Sequence, residues 1–280
     1  MLTFNDPAKL QQWARLRRMK GEKIALVPTM GYLHEGHLSL IAAAKKKGAK
    51  QIVVSVFVNP VQFGPGEDYE TYPRDEKADF AKCRKAGATA IFLPSPRMMY
   101  MDDHSVYVNE ETLSTGLCGA RRPGHFRGVC TVLAKLFNIV NPHFAVFGQK
   151  DYQQVQVVKR MVRDLNFGIE IAVAPIVREE SGLAMSSRNT YLSPVEQQNA
   201  LAIYGALKMV RAKVRKVGKL PAAAVRRQIA QFLAKNSLKP DYVEAVDAET
   251  LQPVEAIKKG TVVLIAAYSG KTRLIDNIII

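Results

Sequence analysis

The sequence predicts an α/β protein in which a Rossmann-like parallel sheet domain, residues 1–180, is followed by a smaller α+β C-terminal lid domain, residues 181–280. Two observations predict the first domain: β-rich runs alternate with segments of helical periodicity, and one such run is apolar on both faces, as parallel strands require. A third observation predicts the second domain, because its helical segments are followed by β-rich segments that do not alternate with helices.

The pair Asp6-Pro7 predicts the start of a first helix, which we expect to end at Gly21. The run KIALV, residues 23–27, predicts a strand that ends at Pro28, because proline cannot donate to a sheet ladder. The turn PTMGYLHEGH then joins this strand to a helix that we expect to begin near Gly36.

His34 and His37 in this turn are the first candidate functional residues. They are three positions apart at a helix start, so they share one face, and the free backbone N–H groups there favour a phosphate. Two hydrogen-bond donors on one anion can stabilise the charge that moves during transfer of a phosphoryl centre. The alternative is a pair of polar turn residues, but an HxGH pair between strand and helix favours the functional interpretation.

The run QIVVSVFV, residues 51–58, predicts a buried strand. The β-α-β unit formed in this way places the following loops at strand ends, where ligands of open α/β sheets bind. Asn59 and Gln62 lie in the long loop after this strand. Asn59, which precedes a proline, fits a turn former as well as a ligand contact, whereas Gln62 fits a ligand contact better.

A helix over residues 75–87 and a strand over residues 89–94 are predicted next, with a further short strand in SVYVNE. We interpret Asp75 and Asp79 as carboxylates on the helix surface rather than as magnesium ligands.

The loop LCGARRPGHFRGV, rich in glycine and arginine, precedes a predicted helix over residues 129–140. Arg122 in this loop could hold a carboxylate through two parallel hydrogen bonds. A dimer contact or an ordinary surface loop is the open alternative.

FAVFG, residues 144–148, predicts a strand that leads to a helix beginning near Asp151. Lys150, at that helix start, is placed to bind a phosphate or a carboxylate, although an exposed helix-start lysine is the simpler interpretation. After a predicted strand over residues 169–175 comes a hydroxyl-rich, cationic loop suited to enclosing a polyphosphate. This loop contains Met185, Ser186, Ser187 and Arg188.

The capping box SPVE, residues 193–196, begins the helical part of the tail, which we expect to reach Val217 and to continue over residues 221–236. Three β-rich segments end the chain, with SGKT as a hairpin turn between the last two. We expect this α+β tail to act as a lid.

PTMGYLHEGH resembles the signature of the pantoate-β-alanine ligase family, which belongs to the HIGH-motif class of nucleotidyl-transferring enzymes. FVNPVQF, LCGARRPGHFRGV, GQKDYQQ and GLAMSSRN are similar to further motifs of that family, in the family's order and over nearly the whole chain. The chain departs from the family at Arg121, which replaces a serine, and at Ser181, which replaces an aspartate. The resemblance implies pantoate and β-alanine as substrates, ATP with Mg²⁺, and a homodimer.

The resemblance also implies roles for individual residues. Nucleotide contacts are implied for Met30, Gly31, Tyr32, Leu33, His34, Glu35, Gly36, His37, Gly148, Gln149, Lys150, Asp151, Val177, Met185, Ser186, Ser187 and Arg188. Substrate contacts are implied for Pro28, Thr29, Asn59, Gln62, Arg122 and Gln154. We expect His37, His34, Lys150, Ser186, Ser187 and Arg188 to form the catalytic set, and we expect no metal site built from protein ligands alone.

No apolar run is long enough to span a bilayer and the start lacks the features of a secretory signal, so we expect a cytoplasmic protein without a membrane partner. Three cysteines without C-x-x-C spacing argue against a disulfide framework and a zinc site. The net charge of +15 is compatible with a polyanion partner. Residues 208–219 are especially basic but lack interleaved aromatics, so we expect a solvated helix face rather than nucleic-acid binding.

By the same resemblance, the carboxylate of pantoate attacks the α-phosphorus of ATP, and the amine of β-alanine then displaces AMP from the pantoyl adenylate. Two other functions stay open at this point. A nucleotidyltransferase would keep a dinucleotide product, against which Gln62 and Gln154 argue; an RNA-binding module would show tight, salt-sensitive binding to unrelated RNAs.

Overall fold

A computed structural model describes residues 1–280, and the chain forms two compact units. The first unit contains Met1–Thr115, Gly119–Gln149 and Gln154–Pro175. The second unit contains Ile176–Ile280 together with two short segments from earlier in the chain, Gly116–Cys118 and Lys150–Gln153. No helix of the chain combines the length and the apolar character that crossing a bilayer requires.

Residues 1–175, which include the whole of the first unit, contain six strands joined by helices. In chain order they are β1 (Leu2–Phe4), α1 (Pro7–Met19), β2 (Ile24–Thr29), α2 (Glu35–Lys46), β3 (Gln51–Val56), α3 (Glu76–Ala86), β4 (Ala90–Phe92), α4 (Pro96–Met99), α5 (Leu117–Arg121), α6 (His125–Val140), β5 (Phe144–Gly148), α7 (Tyr152–Asp164) and β6 (Glu170–Ala174). Short 3-10 helices lie at Pro60–Gln62 and Gln149–Asp151.

The six strands form one parallel sheet in the order β1-β4-β3-β2-β5-β6. Leaving out the edge strand β1, the chain runs outward from β2 through β3 to β4 and then returns to continue on the other side with β5 and β6. This is the Rossmann order, in which the connection reverses between the two central strands, here β2 and β5. The predicted fold class is confirmed.

Both faces of this sheet are covered. Val27, Val54 and Val146 pack in one cluster with Leu40 of α2 and Cys83 of α3. Neighbouring strand residues that point to the opposite face, such as Leu26 and Val53, are also fully buried. Burial on both faces explains why the strands read as continuous apolar runs rather than as alternating patterns.

Three predictions for the first unit are wrong in detail. Pro28 does not end the strand: it lies inside β2, opposite Ser55 of β3. The missing N–H of Pro28 costs little on the side of β2 that faces β5. The pairing of β2 with β5 is confined to Ala25 and Leu26, so no donor is needed at Pro28 on that side. SVYVNE, residues 105–110, forms no strand, and Val106 in it is 75% exposed. Helix α6 begins at His125, four residues before the predicted start.

The second unit is α+β, as predicted. Its elements are α8 (Pro194–Val217), β7 (Leu220–Pro221), α9 (Ala222–Lys235), β8 (Leu238–Asp247), β9 (Ala256–Ile257), β10 (Thr261–Ser269) and β11 (Thr272–Ile279), with a 3-10 helix at Ser187–Tyr191. Strands β8, β10 and β11 form an antiparallel sheet in the order β11-β10-β8. One face of that sheet packs with α8 and α9 in a single apolar cluster.

The predicted signals at both ends of this unit are confirmed. Ser193 caps α8 by accepting the backbone N–H of Glu196, whose carboxylate accepts the backbone N–H of Ser193 in return. The hairpin between β10 and β11 turns through two residues, because Ser269 pairs with Thr272.

Candidate active site

The topological switch point of the parallel sheet lies between β2 and β5, and the loop that carries the HxGH motif leaves β2 at this point. Ligands of open α/β sheets bind outside the carboxyl ends of the strands at such a reversal. Gly148 ends β5 at the same edge, and Gln149 follows it directly. The sheet order thus places the HxGH loop and the end of β5 where a nucleotide is expected to bind.

The loop between β2 and α2 turns sharply at Gly31 and Tyr32, which have φ angles of +87° and +50°. A carboxylate from α3 holds this bend: Asp79 accepts the backbone N–H of Tyr32 at 2.8 Å and that of Leu33 at 2.7 Å. Asp79 is 1% exposed, so its interpretation as a helix-surface residue is wrong. Burial raises the pKa of Asp79, and the two amide donors oppose this by stabilising the ionised form.

The two histidines of the motif are held by backbone groups. The Nδ1 atom of His34 accepts the N–H of Gly36 at 3.1 Å, and the Nδ1 atom of His37 accepts the N–H of His34 at 3.3 Å. A neutral imidazole that accepts at Nδ1 carries its proton on Nε2. Both rings, whose centroids are 4.1 Å apart, are therefore Nε2–H donors in the neutral state.

Asn59 and Gln62, at the end of β3, belong to a buried amide network. The side-chain amide of Asn59 donates to Gln62 Oε1 at 3.1 Å and to the Gly128 carbonyl at 3.1 Å, and it accepts the Tyr100 hydroxyl at 2.8 Å. Burial raises the pKa of Tyr100, so its hydroxyl stays a donor. Asn59 therefore makes every hydrogen bond named in this network. It also caps the 3-10 helix that follows it.

Gln62 has its amide oxygen occupied by Asn59, while its Nε2 atom lies 3.0 Å from the sulfur of Met30. A thioether is a weak acceptor, so this N–H group can turn to a stronger acceptor at little cost. The structure thus joins three of the predicted contact residues, Met30, Asn59 and Gln62, and leaves an amide donor in a buried polar environment.

Arg122 is already paired with a carboxylate of the chain. Its guanidinium donates to both oxygens of Glu67 at 2.7 Å, and its Nη1 atom lies 3.1 Å from Nε2 of His125. His125 donates from Nδ1 to the carbonyl of Gln62 at 2.9 Å, because a carbonyl can only accept. Arg122 therefore joins the loop that carries Glu67 to the backbone of Gln62. The neighbouring Arg121, where the chain departs from the family motif, is exposed at the end of α5.

In the second unit, strand β11 holds the peptide of Lys150. Asn277 donates from Nδ2 to the Lys150 carbonyl at 2.9 Å. The preceding residue, Asp276, forms a bidentate ion pair with Arg178 at 2.6 and 2.9 Å, and the guanidinium lies 3.6 Å from the ring centroid of Tyr204. Burial raises the pKa of Asp276, while Arg178 favours its ionised form.

The MSSR segment is also organised within the second unit. Met185 donates its backbone N–H to the Val177 carbonyl at 3.0 Å, so two of the predicted nucleotide contacts are brought together. Ser186 caps the 3-10 helix that follows by accepting the N–H of Arg188. Ser187 is buried, and Ser181 forms part of the turn that reverses the chain through its contact with the Leu183 N–H.

The two glutamines of the GQKDYQQ segment differ. Gln153 is 3% exposed and is used internally, because it accepts the N–H of Cys118 and donates to the Gly116 carbonyl. Gln154, the predicted substrate contact, is half-buried in the first turn of α7. Lys150 and Asp151 lie in the 3-10 helix that precedes α7, close to the predicted helix start.

Sequence reasoning missed Asp79, Glu67, Tyr100 and Asn277. For Asp79 the sequence held a signal: it lies one helical turn before Cys83, on the face that carries this apolar residue. The structure buries both. A carboxylate on the buried face of a helix must find donors, so that position alone predicts a structural or functional role. No comparable local signal precedes Asn277, whose partner is 127 residues away.

The protein class follows from this geometry. A Rossmann-type sheet whose switch point carries two clustered, donor-oriented imidazoles defines a nucleotide-dependent transferase or ligase of the HIGH-motif type. The sequence model for pantoate-β-alanine ligase matches residues 2–279, so the chain belongs to the pantoate-β-alanine ligase family, whose members join these two substrates.

Relatives and solved structures agree with this assignment. The pantothenate synthetase of Thermosipho melanesiensis is 52% identical over 272 residues, which cover 97% of this chain and 96% of that protein. The crystal structure of pantothenate synthetase from Thermus thermophilus superposes with a TM-score of 0.92 at 44% identity, covering 99% of each chain. A pantoate-β-alanine ligase from Francisella tularensis, complexed with Beta-gamma ATP and Beta-alanine, matches with a TM-score of 0.82 at 32% identity, covering 100% of this chain and 97% of that one.

Proposed function

We propose that this chain condenses pantoate with β-alanine in two ATP-dependent steps. In the first step, a carboxylate oxygen of pantoate bonds to the α-phosphorus of ATP, the bond from that phosphorus to the bridging oxygen breaks, and pyrophosphate leaves. In the second step, the amine of β-alanine attacks the acyl carbon of the pantoyl adenylate and releases AMP and one proton. The Francisella relative, described as complexed with Beta-gamma ATP and Beta-alanine, supports the substrate set.

The observation that carries this proposal is the orientation of the two histidines. The attacking carboxylate is ionised at neutral pH, so the first step needs stabilisation of phosphate charge more than it needs a base. Because backbone N–H groups occupy both Nδ1 atoms, the Nε2–H groups of His34 and His37 are the donors for the reacting phosphate. We assign the principal donor to His37 and the supporting one to His34.

The remaining nucleotide contacts are proposed from the loop geometry and the resemblance together. Lys150 supplies a positive charge at the turn before α7, and the cap at Ser186 fixes the backbone that leads to Arg188. Together with Ser187, these side chains are suited to binding the phosphates of ATP. The remaining proposed nucleotide contacts are Met30, Gly31, Tyr32, Leu33, Glu35, Gly36, Gly148, Gln149, Asp151, Val177 and Met185.

Pantoate contacts are proposed for Gln62, through its weakly engaged Nε2–H group, and for Gln154. Asn59 contributes by fixing the amide of Gln62, while Pro28 and Thr29 provide backbone at the end of β2. A direct contact from Arg122 would require the substrate to replace Glu67, so the paired geometry favours an indirect role through the loop that carries Glu67.

Mg²⁺ fits this chain as an ion carried by the ATP phosphates. No group of three or more His, Cys, Asp or Glu side chains in the chain could form a protein cage for it. Asp79 is committed to two backbone amides and Asp75 caps α3 through the N–H of Ala78, so neither is placed as a ligand. Mg²⁺ usually binds through substrate phosphates and water, where it neutralises phosphate charge, and we propose that mode here.

We also propose the homodimer that the resemblance implies. Met98, Met101 and Val106 are exposed along one segment of the first unit, which is the kind of apolar surface that a second copy would cover. Sedimentation at micromolar concentration tests this, and a monomer there would contradict it. The cytoplasmic location stays a prediction.

The test of the function is pantoate-dependent exchange of labelled pyrophosphate into ATP, with β-alanine left out. We expect exchange, because the first step is reversible once the adenylate forms. If pantothenate forms only after β-alanine is added, with no exchange before, the reaction is concerted or its first step requires bound β-alanine. If neither reaction occurs, the proposed function is wrong and a nucleotidyltransferase becomes the better hypothesis.

The variant His37→Ala should lower the exchange rate by about a hundred- to a thousand-fold, as loss of one preorganised donor does. Lys46→Ala, in the exposed last turn of the same helix, is the matched control and should leave the rate unchanged. Wild-type exchange in His37→Ala would remove the assignment of this residue as the principal donor.

A further inference from the structure

The backbone of the loop between β2 and α2 adopts a conformation that contacts outside the loop must stabilise. Gly31 and Tyr32 both have positive φ angles, and Tyr32 is an L residue in a region that such residues rarely adopt. A conformation of this kind persists only where the surroundings fix it. His34 caps α2 two residues later, so any freedom at Tyr32 is transmitted to the start of the motif.

Helix α3 supplies the contacts that fix this backbone. The two oxygens of Asp79 each accept one amide, from Tyr32 and from Leu33, and Lys82 of the same helix donates to the Leu33 carbonyl at 2.6 Å. Three polar backbone groups of the loop are therefore satisfied by two side chains one turn apart. Asp79 is 1% exposed, so water does not compete for these bonds.

The fit between the carboxylate and the loop is close. A Cβ atom on Gly31 would lie 3.0 Å from Asp79 Oδ2 and 2.9 Å from the Cγ1 atom of Val56. The loop can approach Asp79 this closely only with glycine at this position, whose φ of +87° also suits that residue. The glycine at position 31 and the hydrogen bonds from Tyr32 and Leu33 thus both fit a loop that packs directly against the Asp79 carboxylate.

The fixed backbone leads directly to the histidines. The N–H group of His34, on the peptide next to Leu33, donates to Nδ1 of His37, and the Nδ1 atom of His34 accepts from Gly36. These two hydrogen bonds place the ring protons on Nε2. If the peptides at Tyr32 and Leu33 moved, the N–H of His34 would turn away from His37 and that constraint would be lost.

We propose that Asp79 is a positioning residue: its buried carboxylate holds the loop peptides that fix the tautomers and orientation of His34 and His37. The catalytic consequence rests on the proposed function, whereas the effect on the histidine tautomers does not. The hydrogen bonds of Asp79 go to backbone N–H groups, so its influence on the imidazoles passes through the backbone.

The test is the variant Asp79→Asn, which keeps the shape of the side chain but replaces one acceptor with an NH₂ donor. One of the two loop amides then faces a donor, so we expect the loop to shift. In ¹⁵N-labelled protein, the ring nitrogens of His34 and His37 should lose their uniform Nε2–H signature. The kcat of pyrophosphate exchange should fall by about tenfold or more, while the KM for pantoate changes less than about twofold, because the loss lies in the transition state.

Asp75→Asn is the matched control. Asp75 caps the same helix by accepting the N–H of Ala78 at 2.9 Å and has no hydrogen bond to the loop. This variant should affect stability alone and leave the histidine tautomers and kcat as in the wild type. A variant Lys82→Met, which removes only the contact to the Leu33 carbonyl, should shift the tautomers in the same direction as Asp79→Asn but less.

Unchanged tautomers and unchanged kcat in Asp79→Asn would overturn the inference. If Asp79→Asn does not fold, Lys82→Met decides, and unchanged tautomers in that variant would overturn it as well. Shifted tautomers in a protein whose wild type shows no exchange would leave the inference standing and would count against the proposed function alone.

Discussion

The two units of this chain hold their candidate functional residues by different physical means. In the first unit, the positions are set by hydrogen bonds at the ends of parallel strands: Asp79 holds the loop before His34, and Asn59 fixes Gln62. In the second unit, strand β11 contributes Asp276 to a buried ion pair with Arg178, and the next residue, Asn277, donates one hydrogen bond from its side-chain amide to the Lys150 carbonyl.

The two units should therefore respond differently to substitution of these residues. Single hydrogen bonds between side chains and backbone groups, such as those of Asp79 and Asn59, fail by small displacements, which affect chemistry before they affect folding. A buried ion pair fails by leaving one charge without a partner, which affects folding first. Comparable substitutions should therefore lower mainly activity in the first unit and mainly folding stability in the second.

The largest effect is expected at the ion pair of the second unit. Asp276→Ala leaves Arg178 half-buried without its carboxylate, and the free energy of unfolding should fall by about 3–5 kcal/mol. Urea denaturation measures this. Glu244→Ala, which breaks the more exposed pair with Arg226, is the control in the same unit and should cost less than about 1 kcal/mol.

A double variant sharpens this result. Replacing both partners, Arg178→Met with Asp276→Leu, removes the buried charges together and should recover much of the lost stability. If Asp276→Ala lowers the free energy of unfolding no more than Glu244→Ala does, burial does not make the Asp276–Arg178 pair more important for stability, and the contrast between the two units fails.

The next effect compares one helical glycine from each unit. In α6 of the first unit, a Cβ atom on Gly128 would lie 2.5 Å from the Val61 carbonyl and from the Cα atom of Gln62, so Gly128→Ala forces the 3-10 helix at Pro60–Gln62 away. Such overpacking should lower the free energy of unfolding by about 1–3 kcal/mol. We also expect a higher KM for pantoate in the exchange assay, since Gln62 moves.

Gly205→Ala in α8 of the second unit is the matched variant. The nearest atom to its added Cβ is 4.0 Å away in Phe232, which is an ordinary contact. Alanine is the better helix former, so this variant should gain up to about 1 kcal/mol. If the two substitutions change the free energy of unfolding and the KM equally, the close contact between Gly128 and the backbone of Gln62 does not explain the need for glycine in α6.

The same contrast explains how much of the structure the sequence predicts. The existence of β2, β3 and β5 was predictable from their apolar runs, and the rules for parallel sheets predict that their carboxyl ends lie at one edge, although the exact last residue of β2 was not predicted. His34 and Asn59 follow the ends of β2 and β3, as expected from position, whereas Gln149 after β5 was implied only by the family resemblance. The antiparallel tail was also predictable from its capping box and its β-rich runs.

What the sequence does not predict are partners distant along the chain. Asp79 meets Leu33 across 46 positions, Arg178 meets Asp276 across 98, and Asn277 meets Lys150 across 127. Periodicity describes one element at a time and carries no information on such pairs. The error at Pro28 has the same origin, because its place inside β2 depends on how far β5 runs alongside, which only the assembled sheet decides.

The smallest expected effect concerns pH and the loop of the first unit. Burial opposes ionisation of Glu67, but hydrogen bonds from Arg122 and its charge outweigh this and hold the pKa of Glu67 below its usual value of 4.5. A carboxyl group with a lowered pKa in the folded state contributes stability above its unfolded pKa, and that contribution is lost as the pH falls through the folded value. The pair of Glu67 with Arg122 should therefore weaken progressively below about pH 4.5.

Glu67→Gln should remove this dependence, so that the stability difference between wild type and variant shrinks as the pH is lowered from about 6 toward about 3. Urea denaturation at several pH values measures the slope, and Glu70→Gln, an exposed carboxylate in the same loop, should keep the wild-type slope. Because the ion pair in the first unit is partly exposed, the whole effect should stay well below that of Asp276→Ala. A pH slope in Glu67→Gln equal to that of the wild type would mean that the loop is held by its other contacts, with Arg122 bound to Glu67 only incidentally.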